Sequence, residues 1–456
     1  MIDGEVYRSD DGGETWRKVS PDKQSIGGAP GYYYGQVRID PNDDKAVHVL
    51  SAASWGTRDG GKTWLRQPLG FGGDDHALWI DPENSNHMLL GYDHGMGITY
   101  DGGKSWYHPD FLPLAQFYAV DVDMSYPYNV AGGLQDNGSV LGPSTKRGTG
   151  PIRLEEWQTV GGGDGMYNVF DRITNRYLYN ESQFGPLSRI DLKSGERKSI
   201  AYQSKKPELR WNWCSPILVS PHNSDVIYHA GNIVVRSAYR GEYWEEISPD
   251  LTTNDPTKLT TGKGGDGNIQ YCTITTIDES PLVEGLLWVG TDDGNVWVTR
   301  DRGKNWAKLN ERITGNPGYW VSRVVASNHD SGTAYVSYTG FRNDDFRPFL
   351  YKTTDYGQTW TSIAGNLPEE PVNVIREDPK NPNLLFVGTE FAVYVSIDGG
   401  KSWTRMKNNM PTQPVHSLVI HPRESDLVVA THGRGIFIVD ISPLQACHEA
   451  AVAHAV

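Results

Sequence analysis

Six times the chain writes the phrase Ser/Thr-x-Asp-x-Gly-x-(Ser/Thr/Asn)-Trp, beginning at Ser9, Thr57, Thr99, Thr299, Thr353 and Ser396. Alternating apolar residues flank each copy, as expected of β-strands on either side of a tight turn. In each, the aspartate (Asp11, Asp59, Asp101, Asp301, Asp355, Asp398) is placed to accept backbone N–H bonds inside the turn, and the glycine two residues later supplies positive φ. The tryptophan then enters the next strand and is expected to pack inward. A hairpin recurring at intervals of about forty to fifty residues predicts an all-β propeller in which each repeat is one four-stranded blade. A seventh, worn copy at Ser237 keeps Gly241 and Trp244 but has Tyr239 where the aspartate stands elsewhere. The aspartates therefore read as scaffold, their polar groups consumed by their own turns.

Strands ending in a proline turn recur through the chain, at Gln36 to Pro41, Ala77 to Pro82, Ile217 to Pro221, Val374 to Pro379 and Ser417 to Pro422. Each opens a unit, and the template gives about ten blade units. The first, residues 1–20, holds only a third strand, a turn and a fourth strand. Units follow near 32–68, 75–110, 116–160, 164–200, 212–250, 270–310, 320–365 and 372–408, and the last, near 414–441, stops after its third strand. Two architectures satisfy this count. The favoured one assigns 1–111 to part of one propeller (about three blades), 112–445 to a seven-bladed propeller and 446–456 to a tail. The alternative is a single ten-bladed ring closed by pairing both ends. The Phe111 to Phe117 connection, with two prolines and no aspartate turn, supports the first, and the unfinished opening unit leaves room for a partner chain that completes it.

With 456 residues, length here counts repeats more than cores. The formal charge of −14 and the lack of a Lys/Arg-rich run argue against a nucleic-acid partner. No apolar run approaches membrane-spanning length, and the first residues lack the pattern of an export signal. The three cysteines, Cys214, Cys272 and Cys447, show no Cys-x-x-Cys spacing, and no histidine pair has metal-site spacing, so no cofactor or transition-metal site is expected. Calcium at Asp292-Asp293 stays open, although the segment falls short of a calcium loop.

From Gly133-Leu-Gln-Asp-Asn-Gly-Ser139 through Gly161-Gly-Gly-Asp-Gly165, Asn212-Trp213, Ser220-Pro221-His222, Gly290-Thr-Asp-Asp-Gly294, Tyr351-Lys-Thr-Thr-Asp-Tyr-Gly357 and Thr431-His-Gly-Arg434, the chain resembles the large bacterial sortilin-like, Asp-box (BNR-repeat) "glycosyl hydrolase" proteins. The resemblance implies tandem seven-bladed propellers and an extracytoplasmic location, periplasmic or secreted. Xyloglucanases share this design and use two aspartates across the cleft between propellers. No motif carries either aspartate onto this chain.

Blade topology directs the search for chemistry to the face formed by the turns between second and third strands. Those turns carry Gln135-Asp136-Asn137, Glu181-Ser182-Gln183, Gly231-Asn232, Thr291-Asp292-Asp293, Thr389-Glu390 and Thr431-His432-Gly433-Arg434. Two blade-to-blade loops, Gly161 to Gly165 and Gly264 to Asn268, open on the same side. The expected function is binding of a glycan or peptide on this face, with Gln135, Asn137, Gln183, Asn268, Asp293, His432 and Arg434 as ligand contacts. The alternatives are a glycoside hydrolase using a carboxylate pair drawn from Asp136, Asp164, Glu181, Asp266, Asp292 and Glu390, and a structural or assembly subunit. The competing reading of each residue is plain turn chemistry, since Asp and Asn before Gly are ordinary turn formers. For Arg434 it is a structural ion pair across the central channel. Tyr32-Tyr33-Tyr34, Trp211 and Trp213 suit stacking on sugar rings and suit packing between blades better.

Overall fold

The computed structural model describes residues 4–22, 24–28, 31, 33–67, 73–109, 112–204, 209–259, 270–407 and 409–447. Ten antiparallel sheets follow one another along the chain, each built from consecutive strands, which is the order of a multi-blade β-propeller. We number them blades 1 to 10. The chain divides into two compact units, Met1–Leu114 and Ala115–Val456. Blades 1 to 3 belong to the first and blades 4 to 10 to the second.

In unit 1, blade 1 is the two-stranded sheet of Tyr7–Arg8 and Arg17–Lys18, blade 2 runs from Gln36–Asp40 to Leu65–Arg66, and blade 3 from Asp75–Ile80 to Gly95–Thr99. In unit 2 the first strands of successive blades are Phe117–Val122, Gly165–Phe170, Ile217–Val219, Ile274–Glu279, Trp320–Ala326, Val372–Glu377 and Val415–Ile420. Six of these blades have four strands, and blade 10 has three among the described residues.

In unit 2, burial falls from the second strands to the fourth. The second strands Leu287–Thr291, Ala334–Gly340 and Leu385–Thr389 are buried at every position, whereas the fourth strands Arg197–Ser199, Glu245–Glu246, Ala307–Lys308 and Thr361–Ser362 are exposed throughout. The penultimate glycine of two of these second strands has a packing cause. A Cβ at Gly290 would meet Val321 Cγ1 at 2.3 Å, and one at Gly388 would meet Val415 Cγ1 at 2.6 Å, so only glycine lets the next blade's first strand approach.

The repeated phrase is a closed hydrogen-bond circuit. In all six copies the first-position hydroxyl donates to the aspartate Oδ1 at 2.7 to 2.9 Å and accepts the glycine N–H at 2.8 to 3.0 Å. Oδ1 also accepts the N–H of the seventh residue at 2.9 to 3.0 Å, and Oδ2 takes that residue's side chain, which is why Ser, Thr or Asn stands there. In four blades the tryptophan then reaches the preceding blade: the indoles of Trp64, Trp244, Trp306 and Trp403 donate to the carbonyls of Val19, Ile200, Ile247 and Ile363 at 2.8 to 2.9 Å. Truncating an aromatic buried like Trp403 costs about 3–5 kcal/mol. The worn copy in blade 6 keeps half the circuit, with Ser237 Oγ accepting the N–H groups of Tyr239 and Gly241.

Blade 10 packs on blade 4. Val419, Val428 and Ala430 share a core with Phe117, Val120 and Val130. The Tyr128 hydroxyl donates to Asp426 Oδ2 at 2.8 Å, Arg423 donates to the carbonyls of Met124 and Ser125, and Gln116 bridges to His432.

Candidate functional site

In unit 2 the turns between second and third strands bring two of the expected residues into contact. Gln135, after the second strand of blade 4, and His432, after that of blade 10, meet directly: His432 Nε2 lies 3.2 Å from Gln135 Oε1. The Tyr118 hydroxyl donates to the same oxygen at 3.1 Å and accepts the Trp213 indole N–H at 3.2 Å. His432 stacks on His416 with centroids 4.5 Å apart, and Phe184 meets Trp213 edge-on at 5.0 Å. Four blades thus supply one cluster of aromatic, amide and imidazole groups.

The cluster is uncharged. Burial and the neighbouring His432 push His416 down to about 3, and burial also lowers His432. Burial raises the Tyr118 phenol. At neutral pH both imidazoles and the phenol are neutral hydrogen-bonding groups.

The carboxylates behave differently. Glu181 is fully buried, and its Oε1 accepts the Ser215 N–H of the next blade at 2.9 Å; burial holds its pKa well above the usual carboxylate range. Asp164 accepts the Asp136 N–H at 2.6 Å and donates its own N–H to Gln183 Oε1 at 3.0 Å. Asp292 accepts the Thr273 N–H at 2.9 Å, its hydroxyl at 2.5 Å and the Asn212 amide at 3.3 Å, and burial pushes it up to about 7. Asp293 accepts the Thr291 hydroxyl and both the N–H and hydroxyl of Thr253. These oxygens accept hydrogen bonds from neighbouring segments and brace them. The same donors surround Asp292 and Asp293 where a calcium ion would require free oxygens, and among the described residues no group of three His, Cys, Asp or Glu is placed to hold a metal.

Of the remaining candidates, Glu390 accepts the Asn373 amide at 2.9 Å, and the Asn137 amide donates to the Gln135 carbonyl at 3.0 Å. Arg434 is exposed, and it forms no ion pair among the described residues. Asp266, Asn268 and Tyr32 lie outside the described residues. Trp211 has one face stacked on His229 at 4.2 Å, which is packing between ring systems.

Two features escaped the sequence reading. Blade 8 carries its own turn, Phe341–Asn343, where the Arg342 guanidinium sits 4.5 Å over the rings of both Trp320 and Phe341. In unit 1, the corresponding turn of blade 3 holds Asp93, whose Oδ1 is 2.8 Å from His76 Nε2. The His76 ring meets Tyr33 edge-on at 4.5 Å and stacks on Tyr34, and the Tyr34 hydroxyl donates to Asp74. Burial raises the pKa values of Asp75 and Asp93. The signal was present as Tyr92-Asp93-His94-Gly95, a polar turn ahead of a third strand.

The sheet order and the six circuits define the class, an Asp-box β-propeller. Residues 7–18 match the BNR/Asp-box repeat, and residues 349–452 match the Sortilin-Vps10 family described as "Sortilin, neurotensin receptor 3". The vacuolar protein sorting/targeting protein 10 of Talaromyces stipitatus is 34% identical over 92 residues, covering 17% of this chain and 6% of that protein. The oligoxyloglucan-reducing end-specific xyloglucanase of Emericella nidulans is 23% identical over 390 residues, covering 79% of this chain and 45% of that enzyme. The chain spans less than half the length of either relative. Among solved structures, the GH74 enzyme of Niastella koreensis is similar with a TM-score of 0.31 at 14% identity, covering 96% of this chain and 81% of that one. The computationally designed Ika8 protein gives a TM-score of 0.43 at 12% identity, covering 81% and 96%. These overlaps are too loose to carry an argument. Over these segments the chain is similar to sortilin-type and Asp-box proteins.

Proposed function

We propose that this propeller binds a glycan at the face formed by the turns between second and third strands of unit 2. The observation that carries the reading is the neutral cluster of Tyr118, Gln135, Trp213, His416 and His432. Sugars present hydroxyls to amides and imidazoles and C–H faces to aromatic rings, and a neutral ligand incurs no charge-desolvation penalty in such a site. The similarity to a xyloglucanase favours a xyloglucan oligosaccharide as the first ligand to test. Titration calorimetry with such oligosaccharides is expected to give saturable binding that Gln135→Ala weakens by about tenfold, equivalent to about 1.4 kcal/mol. Undiminished binding by that variant removes the site.

Hydrolysis is the second reading, and one observation favours it: in unit 1, burial raises the pKa values of Asp93 and Asp75 beside His76, the direction of shift that suits a general acid. Release of reducing ends from xyloglucan, abolished by Asp93→Asn, is its test. An extracytoplasmic location accords with both readings and with the kinds of protein the chain resembles. We also propose that 112–445 forms one seven-bladed ring, a division supported by the packing of blade 10 on blade 4, with 1–111 belonging to a second propeller.

A further inference from the structure

The first strands of unit 2 leave a channel of about 560 Å³ between them, distinct in chemistry from the neutral cluster. Three arginines line it: Arg172 of blade 5, Arg323 of blade 8 and Arg376 of blade 9. Arg172 is compensated by an ion pair with Asp121. The other two are not. Arg323 donates to the Tyr167 hydroxyl at 3.1 Å and the His416 carbonyl at 3.3 Å, and its buried Nε has no acceptor. Arg376 donates to the Ile375 carbonyl at 3.0 Å. Neither makes an ion pair among the described residues.

The channel also carries carboxylates whose oxygens mostly accept hydrogen bonds from the walls, the buried Glu279 Oε2 being the exception without a donor. Asp278 accepts the N–H groups of Ala326 and Glu279, Glu279 accepts the Gly285 N–H, and Glu377 accepts the Ser327 hydroxyl, the Asn328 N–H and the Tyr335 hydroxyl. Burial and the proximity of Arg323 push Arg376 down to about 10, against the pull of Asp278. Two guanidiniums thus face one channel with donors to spare and no ion pair among the described residues, Asp278 acting on Arg376 only from beyond ion-pair distance, an arrangement that costs free energy until an anion enters. Guanidinium forks match the oxygens of a carboxylate or phosphate.

We propose that the channel of unit 2 is a binding site for a small oxyanion, held between Arg323 and Arg376. This site is separate from the glycan reading and does not depend on it. Titration calorimetry on the full chain at fixed ionic strength, using inorganic phosphate in one arm and malonate in the other, tests it and separates the two anion sources. One-to-one saturable binding by either anion is expected, weakened about tenfold or more by Arg376→Gln and by Arg323→Gln, and unchanged by Arg302→Gln on the outer turn of blade 7. Should a glutamine variant fail to fold, Arg376→Lys keeps the charge and removes the fork, and weaker binding by that variant is the expected result. Absence of saturable binding by both anions up to about 10 mM, or binding unchanged by the Arg376 and Arg323 substitutions, overturns the proposal.

Discussion

His229 gives the sharpest test of the packing. It sits in the second strand of blade 6 at 0% exposure, stacked on Trp211, with both ring nitrogens buried and without hydrogen-bond partners. Burial pushes its pKa from 6.5 down to about 3. The native state therefore refuses a proton that the unfolded chain accepts below about pH 6.5, so the histidine costs stability as pH falls from there toward 3. At pH 5 the gap is about 1.5 pH units, and at about 1.4 kcal/mol per unit the penalty is about 2 kcal/mol. His229→Phe keeps an aromatic ring against Trp211 and removes the titration. Urea unfolding of both proteins at about pH 7.5 and pH 5 isolates this effect, because any overpacking by the larger ring enters equally at both. The variant is expected to gain about 2 kcal/mol relative to the parent between the two conditions. A difference that does not change with pH refutes the reasoning and means that the imidazole is solvated or paired.

Other consequences are equally direct. Thr353→Ala removes a buried hydroxyl that holds three bonds of its circuit, to Asp355 Oδ1, Asp355 N–H and Gly357 N–H, and is expected to cost about 1–3 kcal/mol in denaturant unfolding. Asp355→Ala is expected to cost less, because blade 6 holds its turn with Ser237 and no aspartate. Gly388→Ala drives a methyl group against Val415 and Val374, and a loss of about 1–3 kcal/mol is expected from the same measurement. Asp93→Asn is expected to abolish any release of reducing ends from xyloglucan while leaving binding at the unit 2 face intact.

Much of the fold was legible because the Asp-box circuit is local: hydroxyl, aspartate, glycine and seventh residue lie within eight positions, and even the worn copy in blade 6 keeps its hydroxyl and glycine. The blade spans followed from it, including blades 4 and 5, whose strands persist without the phrase. Which turn residues would meet was less legible. Gln135 and His432 are 297 positions apart and become neighbours only because blade 10 packs on blade 4. Nor does a turn aspartate announce where its oxygens will be spent: Asp292 and Asp293 look alike in sequence, and both turned toward threonines from connecting segments. Arg323 and Arg376 were invisible for a different reason. In an alternating strand an arginine reads as a solvent-facing position, and only the arrangement of the blades turns that position toward a shared channel.

The central claim is that distant turns assemble one neutral recognition surface at the mouth of unit 2. Its most direct measurement is the affinity of a xyloglucan oligosaccharide for the parent chain and for Trp213→Ala, with circular dichroism confirming that the variant is folded. Saturable binding by the parent and a loss of about tenfold or more in the variant are expected. Equal affinity of the two proteins, or no binding by a folded parent chain to a glycan panel, contradicts it.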